Sequence, residues 1–228
     1  MIEVSGVRVL VGEGRSRRAV LDDVTVRLDE HRVGVVGANG SGKSTFARLL
    51  NGLTLPGTGS VRVDGLDTRS DGAEVRRRVG FCFTDPDAQI VMPTVREDVG
   101  FSLRRRGLTK DAVALAVDTA LRDLGIAHLA DSPAHALSGG EKQLLALCSV
   151  LVTEPSVLVL DEPTTLLDLR NAVRIGAIVD ALPQQVLLVT HHLEMVESYD
   201  RVLVFDDGRL VHDGPPAESL DAYRRLMS

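Results

Sequence analysis

Cysteine is scarce in this chain of 228 residues, which contains only Cys82 and Cys148. Both lie among apolar residues and fit no metal-ligand spacing, so we expect two buried reduced thiols, with neither a disulfide nor a zinc site. Long apolar runs are missing too. The longest candidate, residues 144–152, is interrupted by Ser149 and falls well short of the ~18 residues that a transmembrane helix needs. The sequence therefore predicts no membrane-spanning helix.

Positive charge is also scarce relative to negative charge, because the chain has 26 Lys and Arg residues against 32 Asp and Glu residues, and the formal net charge is -6. A nucleic-acid binder that works through a broad basic face needs clustered positive charge, so this class is disfavoured and any anion site must be local. Residues 1–10 mix charged and apolar residues without an apolar run. We expect no signal peptide there and a protein that stays in the cytosol.

The pattern of apolar residues predicts an α/β fold in one domain. Residues 4–11 and 23–28 are expected to form antiparallel strands joined by a loop at residues 12–18. The other expected strands are residues 33–36, 61–63, 79–83, 157–160, 186–189, 201–205 and 209–212. The expected helices are residues 43–50, a helix from Thr109 that Gly125 closes, a helix after Ser138 to residue 152, and residues 169–181. Alternation of strands and helices favours a mostly parallel sheet.

Lysine is rare in this chain, since only three of the 26 Lys and Arg residues are lysines. One of them, Lys43, ends the segment GANGSGK at residues 37–43, which fits the phosphate-loop pattern GxxxxGK[ST] between a predicted strand and a predicted helix. Glycines let backbone N–H groups converge on phosphate oxygens, and the helix start adds unpaired donors. The alternative is an ordinary glycine-rich turn. The expected nucleotide-binding residues are Asn39, Gly40, Ser41, Gly42, Lys43, Ser44 and Thr45.

Two adjacent carboxylates, Asp161 and Glu162, follow the apolar run at residues 157–160. Carboxylates at the end of a buried strand are costly unless a cation or hydrogen bonds engage them. With Ser44, Asp161 is expected to hold Mg²⁺, while Glu162 is expected to orient the attacking water. Taken alone, this segment would favour the simpler interpretation of two solvent-facing acids. The phosphate loop reverses that preference.

A third segment, LSGGEKQ at residues 137–143, places Ser138, Gly139 and Gly140 at the start of a predicted helix. Ser138 can cap this helix, and the glycine N–H groups are open to an anion. Together with the phosphate loop, the segment resembles the ATP-binding subunits of ABC transporters, whose LSGGQ-type signature it matches with Glu141 where Gln is commoner. The resemblance spans nearly the whole chain.

This resemblance implies a P-loop NTPase (RecA-like) core with a mostly parallel sheet, an N-terminal antiparallel β subdomain and an inserted α-helical subdomain at approximately residues 86–150. All of it would form one ABC ATPase domain over residues 1–228. It also implies a dimer in which the signature of one subunit closes over the ATP and Mg²⁺ held by the phosphate loop of the other.

Two further segments match the family, and two positions depart from it. Residues 165–168 resemble the D-loop, and residues 188–192 resemble the switch-histidine strand, with His191 as the expected γ-phosphate contact. Thr84 stands where the family's Q-loop has glutamine, and Gln89, five residues on, is included among the nucleotide-site candidates. Val11 stands where many relatives have an aromatic residue that stacks on adenine, so weaker stacking is expected.

Residues 85–89 and 93–101 are similar to the corresponding region of energy-coupling-factor ATPases, which drive vitamin and nickel or cobalt uptake. The simpler interpretation is an acidic surface loop leading into a capped helix. The chain's length resembles the shorter, biotin-type subunits. Implied partners are a second ATPase subunit, identical or paralogous, a transmembrane coupling subunit and a substrate-binding membrane subunit, at the cytoplasmic face of the membrane and without nucleic acid. The arginine triplets at residues 76–78 and 104–106 are expected to be solvated faces, with contact to the membrane subunit as the alternative for the second.

Three other functions stay open at this point. A GTPase or small-molecule kinase shares the phosphate loop, but the chain has no NKxD motif for guanine and such a protein needs no signature segment. An ATPase of another importer or an exporter is possible, as is a non-transport ABC protein acting on nucleic acid or ribosomes. The transported solute is not encoded in these residues.

Overall fold

The computed structural model describes residues 1–12 and 17–228. Within those ranges the strands are β1 (Ile2–Val11), β2 (Arg18–Leu28), β3 (Arg32–Gly37), β4 (Thr58–Val63), β5 (Leu66–Asp67), β6 (Val79–Cys82), β7 (Val157–Asp161), β8 (Gln185–Val189), β9 (Arg201–Asp206) and β10 (Arg209–Gly214). The α-helices there are α1 (Lys43–Leu50), α2 (Gly72–Arg78), α3 (Val95–Leu103), α4 (Lys110–Asp123), α5 (Gly139–Leu151), α6 (Leu169–Ala181) and α7 (Pro216–Leu226). The predicted α/β class is confirmed. None of the helices in this part of the chain has the length and hydropathy needed to cross a bilayer.

The chain folds into two compact units. The first, which we call the sheet unit, comprises Met1–Val79, Val157–Asp161 and Gln184–Ser228. The second, which we call the helical unit, comprises Gly80–Ser156 and Glu162–Pro183 and contains α3 to α6.

The sheet unit contains an antiparallel sheet with the strand order β2-β1-β4-β5. Pairing of β1 with β2 is antiparallel, as predicted, but it begins at Val11 opposite Arg18, so β2 starts five residues before the predicted residue 23 and Arg18 belongs to the strand. Residues 13–16 of the predicted loop lie outside the described residues. Burial alternates along most of β1 and β2, which is the pattern of strands with one face covered by a core and one face in solvent.

A second sheet of the same unit runs in the order β10-β9-β3-β8-β7, with parallel pairing except at β10. Its central strands are buried along nearly their whole length, as expected for parallel strands covered on both faces. Helix α1 packs on this sheet through Phe46, which is completely buried and lies 4.9 Å from the ring of Phe205 in β9. The arginine triplet at residues 76–78 forms the last turn of α2, a helix that the apolar pattern does not predict.

The helical unit is built around α5, whose residues from Gln143 to Ser149 are all buried. Helix α4 begins after Thr109, whose hydroxyl accepts a hydrogen bond from the N–H of Ala112, and the chain turns away at Gly125, with φ at 68°, as predicted. Cys82 and Cys148 are buried free thiols, as predicted. Burial raises the pKa of both thiols to about 12.

Candidate functional site

Three predicted segments leave one edge of the parallel sheet. Strand β8 lies between β3 and β7, and its Val189 is in register with Val35 of β3 and with Asp161 of β7. Because the carboxyl ends of parallel strands meet at the same edge, the phosphate loop, Asp161 and His191 all start from this edge. The sheet unit therefore brings together three of the predicted site segments.

The phosphate loop needs glycine at Gly42 for two separate reasons. Its φ is 101°, in the left-handed region, and a Cβ at this position would lie 2.7 Å from the carbonyl oxygen of Val20. Gly40 also has a positive φ, 80°, but a Cβ there would meet nothing within 4 Å. The backbone at Gly40 and at the exposed Asn39 is thus open to a ligand, whereas Gly42 is held against its own unit.

Two polar side chains are buried in this loop. The Lys43 ammonium is turned into the loop, where it donates to the carbonyl oxygens of Gly37 at 2.8 Å and Ala38 at 2.9 Å. The Ser41 hydroxyl is buried and, within the described residues, has no hydrogen-bond partner. A buried hydroxyl without a partner costs roughly 1–3 kcal/mol, and a phosphate oxygen would supply the missing bond. The loop residues therefore fit a phosphate group.

The two predicted metal ligands are in direct contact. The Ser44 hydroxyl donates a hydrogen bond of 2.8 Å to Oδ1 of Asp161, although 117 residues separate them in the chain. Asp161 is 1% exposed, and its Oδ2 lies 3.8 Å from the guanidinium of Arg48. A hydroxyl and a carboxylate are the hard oxygen ligands that Mg²⁺ takes alongside water and substrate phosphates. The donor set therefore fits Mg²⁺. Thr45 follows in the first turn of α1 and is half-buried.

Glu162 follows Asp161 in the chain and has an unusual backbone. Its φ of 54° lies in the left-handed region, which a non-glycine residue adopts at a cost of roughly 1–3 kcal/mol and which is enriched at functional sites. Its carboxylate is half-buried and accepts a hydrogen bond of 2.8 Å from the Thr165 hydroxyl. The carboxylate orientation is thus fixed by the residue three positions on.

His191 belongs to a short anchored segment at the end of β8. Its ring contacts the ring of His192 in a tilted arrangement, with centroids 4.2 Å apart and 37° between the ring planes, and Nδ1 of His192 lies 3.4 Å from Glu194. The N–H of His192 donates to the hydroxyl of Thr190, which is completely buried. His191 itself is exposed at this edge of the sheet.

In the helical unit, Ser138 of the signature segment is the N-cap of α5, and Gly139 is the first residue of that helix. The Ser138 N–H and hydroxyl both donate to Oε2 of Glu141, at 2.8 and 2.7 Å, and the Glu141 N–H donates back to the Ser138 hydroxyl at 3.4 Å. These bonds from Ser138 lower the pKa of Glu141. Gly140 is buried, and a Cβ there would lie 2.5 Å from Cγ of Asn171 in α6, whereas Gly139 is exposed with ordinary contacts.

Gln89 lies on a row of contacts between residues 87–92 and one face of α5. Its Oε1 accepts from the N–H of Phe83 at 3.3 Å, and its Nε2 donates to the carbonyl oxygen of Ala146 at 2.9 Å. Four residues earlier on the same face, Lys142 forms an ion pair of 2.8 Å with Asp87. Both ends of the Gln89 amide are thus bonded within the helical unit, although each end has one further hydrogen-bonding position.

Asp98 completes this row, and no motif pointed to it. Its carboxylate is 3% exposed and accepts bonds from the N–H groups of Val91 and Met92, at 2.8 and 3.0 Å, and from the Ser149 hydroxyl at 2.8 Å. The signal for it was present in the sequence, because Asp98 lies on the apolar face of α3 that Val95 also occupies. A carboxylate on a buried face must find donors.

Comparisons with known proteins agree on one family. The family model described as ABC transporter matches residues 21–165. The chain is 48% identical over 211 residues to the biotin transport ATP-binding protein BioM of Rhizobium etli, covering 92% of this chain and 94% of that protein. It is 37% identical over 226 residues to the energy-coupling factor transporter ATP-binding protein EcfA1 of Caldanaerobacter subterraneus, covering 96% of this chain and 82% of that protein.

A solved structure agrees with the sequence comparisons. The fold is similar to that of cbiO1 from Clostridium perfringens, which is part of the ABC transporter complex cbiONQ. The TM-score is 0.84 at 31% sequence identity, and the match covers 99% of this chain and 92% of that chain.

Proposed function

The chain belongs to the ABC transporter family of ATP-binding proteins, and on that premise we propose that it energises a membrane importer of the energy-coupling-factor type. It is an ATPase of this family. The subfamily rests on the relatives that function in biotin transport and in an energy-coupling factor transporter, and on the likeness to cbiO1. The solute is a biotin-like vitamin or a transition-metal ion.

The observation that carries this function is the arrangement of the phosphate loop. Its Lys43 ammonium is buried among the loop carbonyls, its Ser41 hydroxyl is unpartnered among the described residues, and its Ser44 hydroxyl already contacts Asp161. We assign the triphosphate of ATP to this loop. Lys43 would exchange its carbonyl partners for phosphate oxygens, and the Ser41 hydroxyl would gain its missing bond. Backbone N–H groups from Asn39 onwards complete the set.

Ser44 and Asp161 would hold Mg²⁺, which would supply positive charge to neutralise the phosphate groups of ATP. Glu162 has the role of orienting the attacking water and taking its proton. The Thr165 hydroxyl holds that carboxylate in place. His191 contacts the γ-phosphate from the end of β8. These roles are assigned on the match to the family pattern and on the local geometry of each residue.

ABC ATPases work as dimers together with transmembrane components. We propose that Ser138, Gly139 and Gly140 of one subunit contact the ATP in the phosphate loop of a second, identical or paralogous subunit. A transmembrane coupling subunit and a substrate-binding membrane subunit complete the transporter, and the chain lies peripherally at the cytoplasmic face of the membrane. Gln89 and the row of contacts along α5 belong to the helical unit that carries the signature.

Two substitutions test the assignment in the purified protein. Lys43→Ala should weaken ATP binding, because the loop loses its cation. Glu162→Gln should keep ATP binding but lower turnover by about 10²- to 10⁴-fold, because water activation is lost. Lys110→Ala is the matched control, since this third lysine is exposed at the start of α4. ATP affinity is measured by titration and turnover by phosphate release.

Equal ATP affinity in the Lys43→Ala and wild-type proteins would refute the phosphate-loop assignment, and unchanged turnover in Glu162→Gln would refute the role of Glu162. The subfamily is tested separately by copurification from membranes. A coupling subunit with a small substrate-binding membrane subunit supports it. Copurification with the permease of an importer that depends on a periplasmic binding protein, or with an exporter, would replace it by the corresponding transporter class.

A further inference from the structure

The Ser138 hydroxyl donates its only hydrogen to the carboxylate of Glu141. A serine hydroxyl has one hydrogen to donate, and here it points to Oε2 of Glu141 over 2.7 Å. The same carboxylate oxygen also accepts the Ser138 N–H at 2.8 Å. Both donors of Ser138 are therefore engaged within the helical unit.

This arrangement conflicts with the proposed role of the signature. An ionised phosphate oxygen can only accept hydrogen bonds, so a contact between Ser138 and a phosphate needs the same hydroxyl proton that Glu141 holds. The two contacts exclude each other. Binding of the signature to ATP must therefore break the bond from the Ser138 hydroxyl to Glu141.

We propose that Glu141 is a positioning residue that sets the affinity of the signature for ATP by competing with the γ-phosphate for the Ser138 proton. This inference rests on the proposed function and deepens it. Glutamine, the commoner residue here in the family, can also cap Ser138 through its carbonyl oxygen, but it carries no charge. The carboxylate thus makes the competing bond stronger than the usual residue does.

The charge decides the size of the effect. Hydrogen bonds to an ionised acceptor are roughly twice as strong as those between neutral groups. The lowered pKa of Glu141 keeps its carboxylate ionised at neutral pH. Replacing it by glutamine keeps the shape of the cap and weakens both bonds that Ser138 donates to it, including the competing bond from the hydroxyl. We therefore expect ATP to saturate the Glu141→Gln protein at about fivefold lower concentration.

The helical unit offers a matched control in a second cap of the same design. At the start of α3, the Thr94 N–H and hydroxyl donate to Oε2 of Glu97 at 3.2 and 2.7 Å, and the Glu97 N–H donates back at 3.4 Å. Glu97→Gln makes the same chemical change at a helix that carries no signature. Glu97→Gln should weaken the cap of α3 about as much as Glu141→Gln weakens the cap of α5. It should leave the dependence of hydrolysis on ATP concentration unchanged.

The experiment measures ATP hydrolysis against ATP concentration, with excess Mg²⁺, for the chain purified together with its membrane subunits. The proteins compared are wild type, Glu141→Gln, Glu97→Gln and Ser138→Ala. The expected result is an about fivefold lower half-saturating ATP concentration in Glu141→Gln only. Repeating the titration at about 0.5 M salt separates competition for the proton from simple repulsion of ATP, because salt screens exposed charges.

Each outcome decides one question. A half-saturating concentration that is the same in Glu141→Gln and wild type, while Ser138→Ala impairs activity, overturns the competition and leaves the proposed function intact. An equal shift in Glu97→Gln assigns the effect to helix capping, and a shift that vanishes at high salt assigns it to repulsion. Each of these also overturns the inference. Full activity of Ser138→Ala would instead remove the signature's role from the proposed function.

Discussion

Replacing Gly140 by alanine should destabilise the helical unit because the added Cβ would overlap the Asn171 side chain of α6. The added Cβ would lie 2.5 Å from Cγ, 2.6 Å from Oδ1 and 2.7 Å from Nδ2 of Asn171. The Asn171 side chain cannot move away without losing a hydrogen bond to Asp168. Its Nδ2 donates to Asp168 at 3.1 Å, and its N–H donates to the same carboxylate, which caps α6.

Three contributions give the magnitude, of which two destabilise the variant and one stabilises it. Overpacking of a well-packed contact costs about 1–3 kcal/mol, and losing the bond from Asn171 to Asp168 adds about 0.5–1.5 kcal/mol. Alanine in place of glycine in a helix recovers up to about 1 kcal/mol. The expected result is a net loss of about 2 kcal/mol in the free energy of unfolding, which urea denaturation followed by circular dichroism measures.

Gly139→Ala is the control for this prediction. A Cβ at Gly139 would meet its nearest atoms at 3.9 and 4.0 Å, so this variant should be as stable as wild type or slightly more stable. Introducing Asn171→Ala into the Gly140→Ala protein should remove most of the additional loss. The reasoning is refuted if the two alanine variants unfold at the same urea concentration, or if the loss persists in full without the Asn171 side chain.

Two further predictions concern the sheet unit. Phe46→Ala should lower the free energy of unfolding by about 3–5 kcal/mol, because this ring is fully buried. Phe46→Leu should retain most of the stability. A loss below about 1 kcal/mol for the alanine variant in chemical denaturation would contradict the packing described. Asp22 has its pKa lowered by hydrogen bonds from Arg209 and Arg8. Because its pKa is lower in the folded than in the unfolded state, its contribution is present above the unfolded value of about 3.9 and is lost as the pH falls through the folded value. Asp22→Asn should therefore lower the melting temperature at pH 7 and have a shrinking effect below about pH 4, and a difference that is constant with pH would show that the ion pairs do not stabilise the fold.

Elements with strong local signals were predictable from the sequence. Helix α6 spans Leu169–Ala181 as expected, because Asp168 caps its start and the apolar spacing continues to its end. Strands β7 and β8 were recognisable as short continuous apolar runs, which fully buried parallel strands require. The strand order was not predictable at the same level, since it depends on pairings such as that of β3 with β8, which are far apart in the chain.

Elements with weak burial were missed. Helix α7 buries only Ser219 and Leu220, and α2 buries only Val75, so neither has a continuous apolar stripe for a pattern to detect. For the candidate site, the motifs supplied the predicted residues but not their contacts in the structure. That Glu141 would hold the Ser138 proton depends on rotamers, which motif spacing does not specify.

The two cysteines provide the helical unit with internal reporters of opening. The thiolate is the form that alkylating reagents attack, and with a pKa of about 12 the fraction of thiolate at neutral pH is on the order of 10⁻⁵. Cys82 and Cys148 are the only thiols in the sequence, and both side chains are inaccessible. Labelling by iodoacetamide at neutral pH must therefore await local or global unfolding. The rate of labelling of the unmodified protein therefore reports how often the helical unit unfolds. ATP should lower this rate if nucleotide binding stabilises the helical unit.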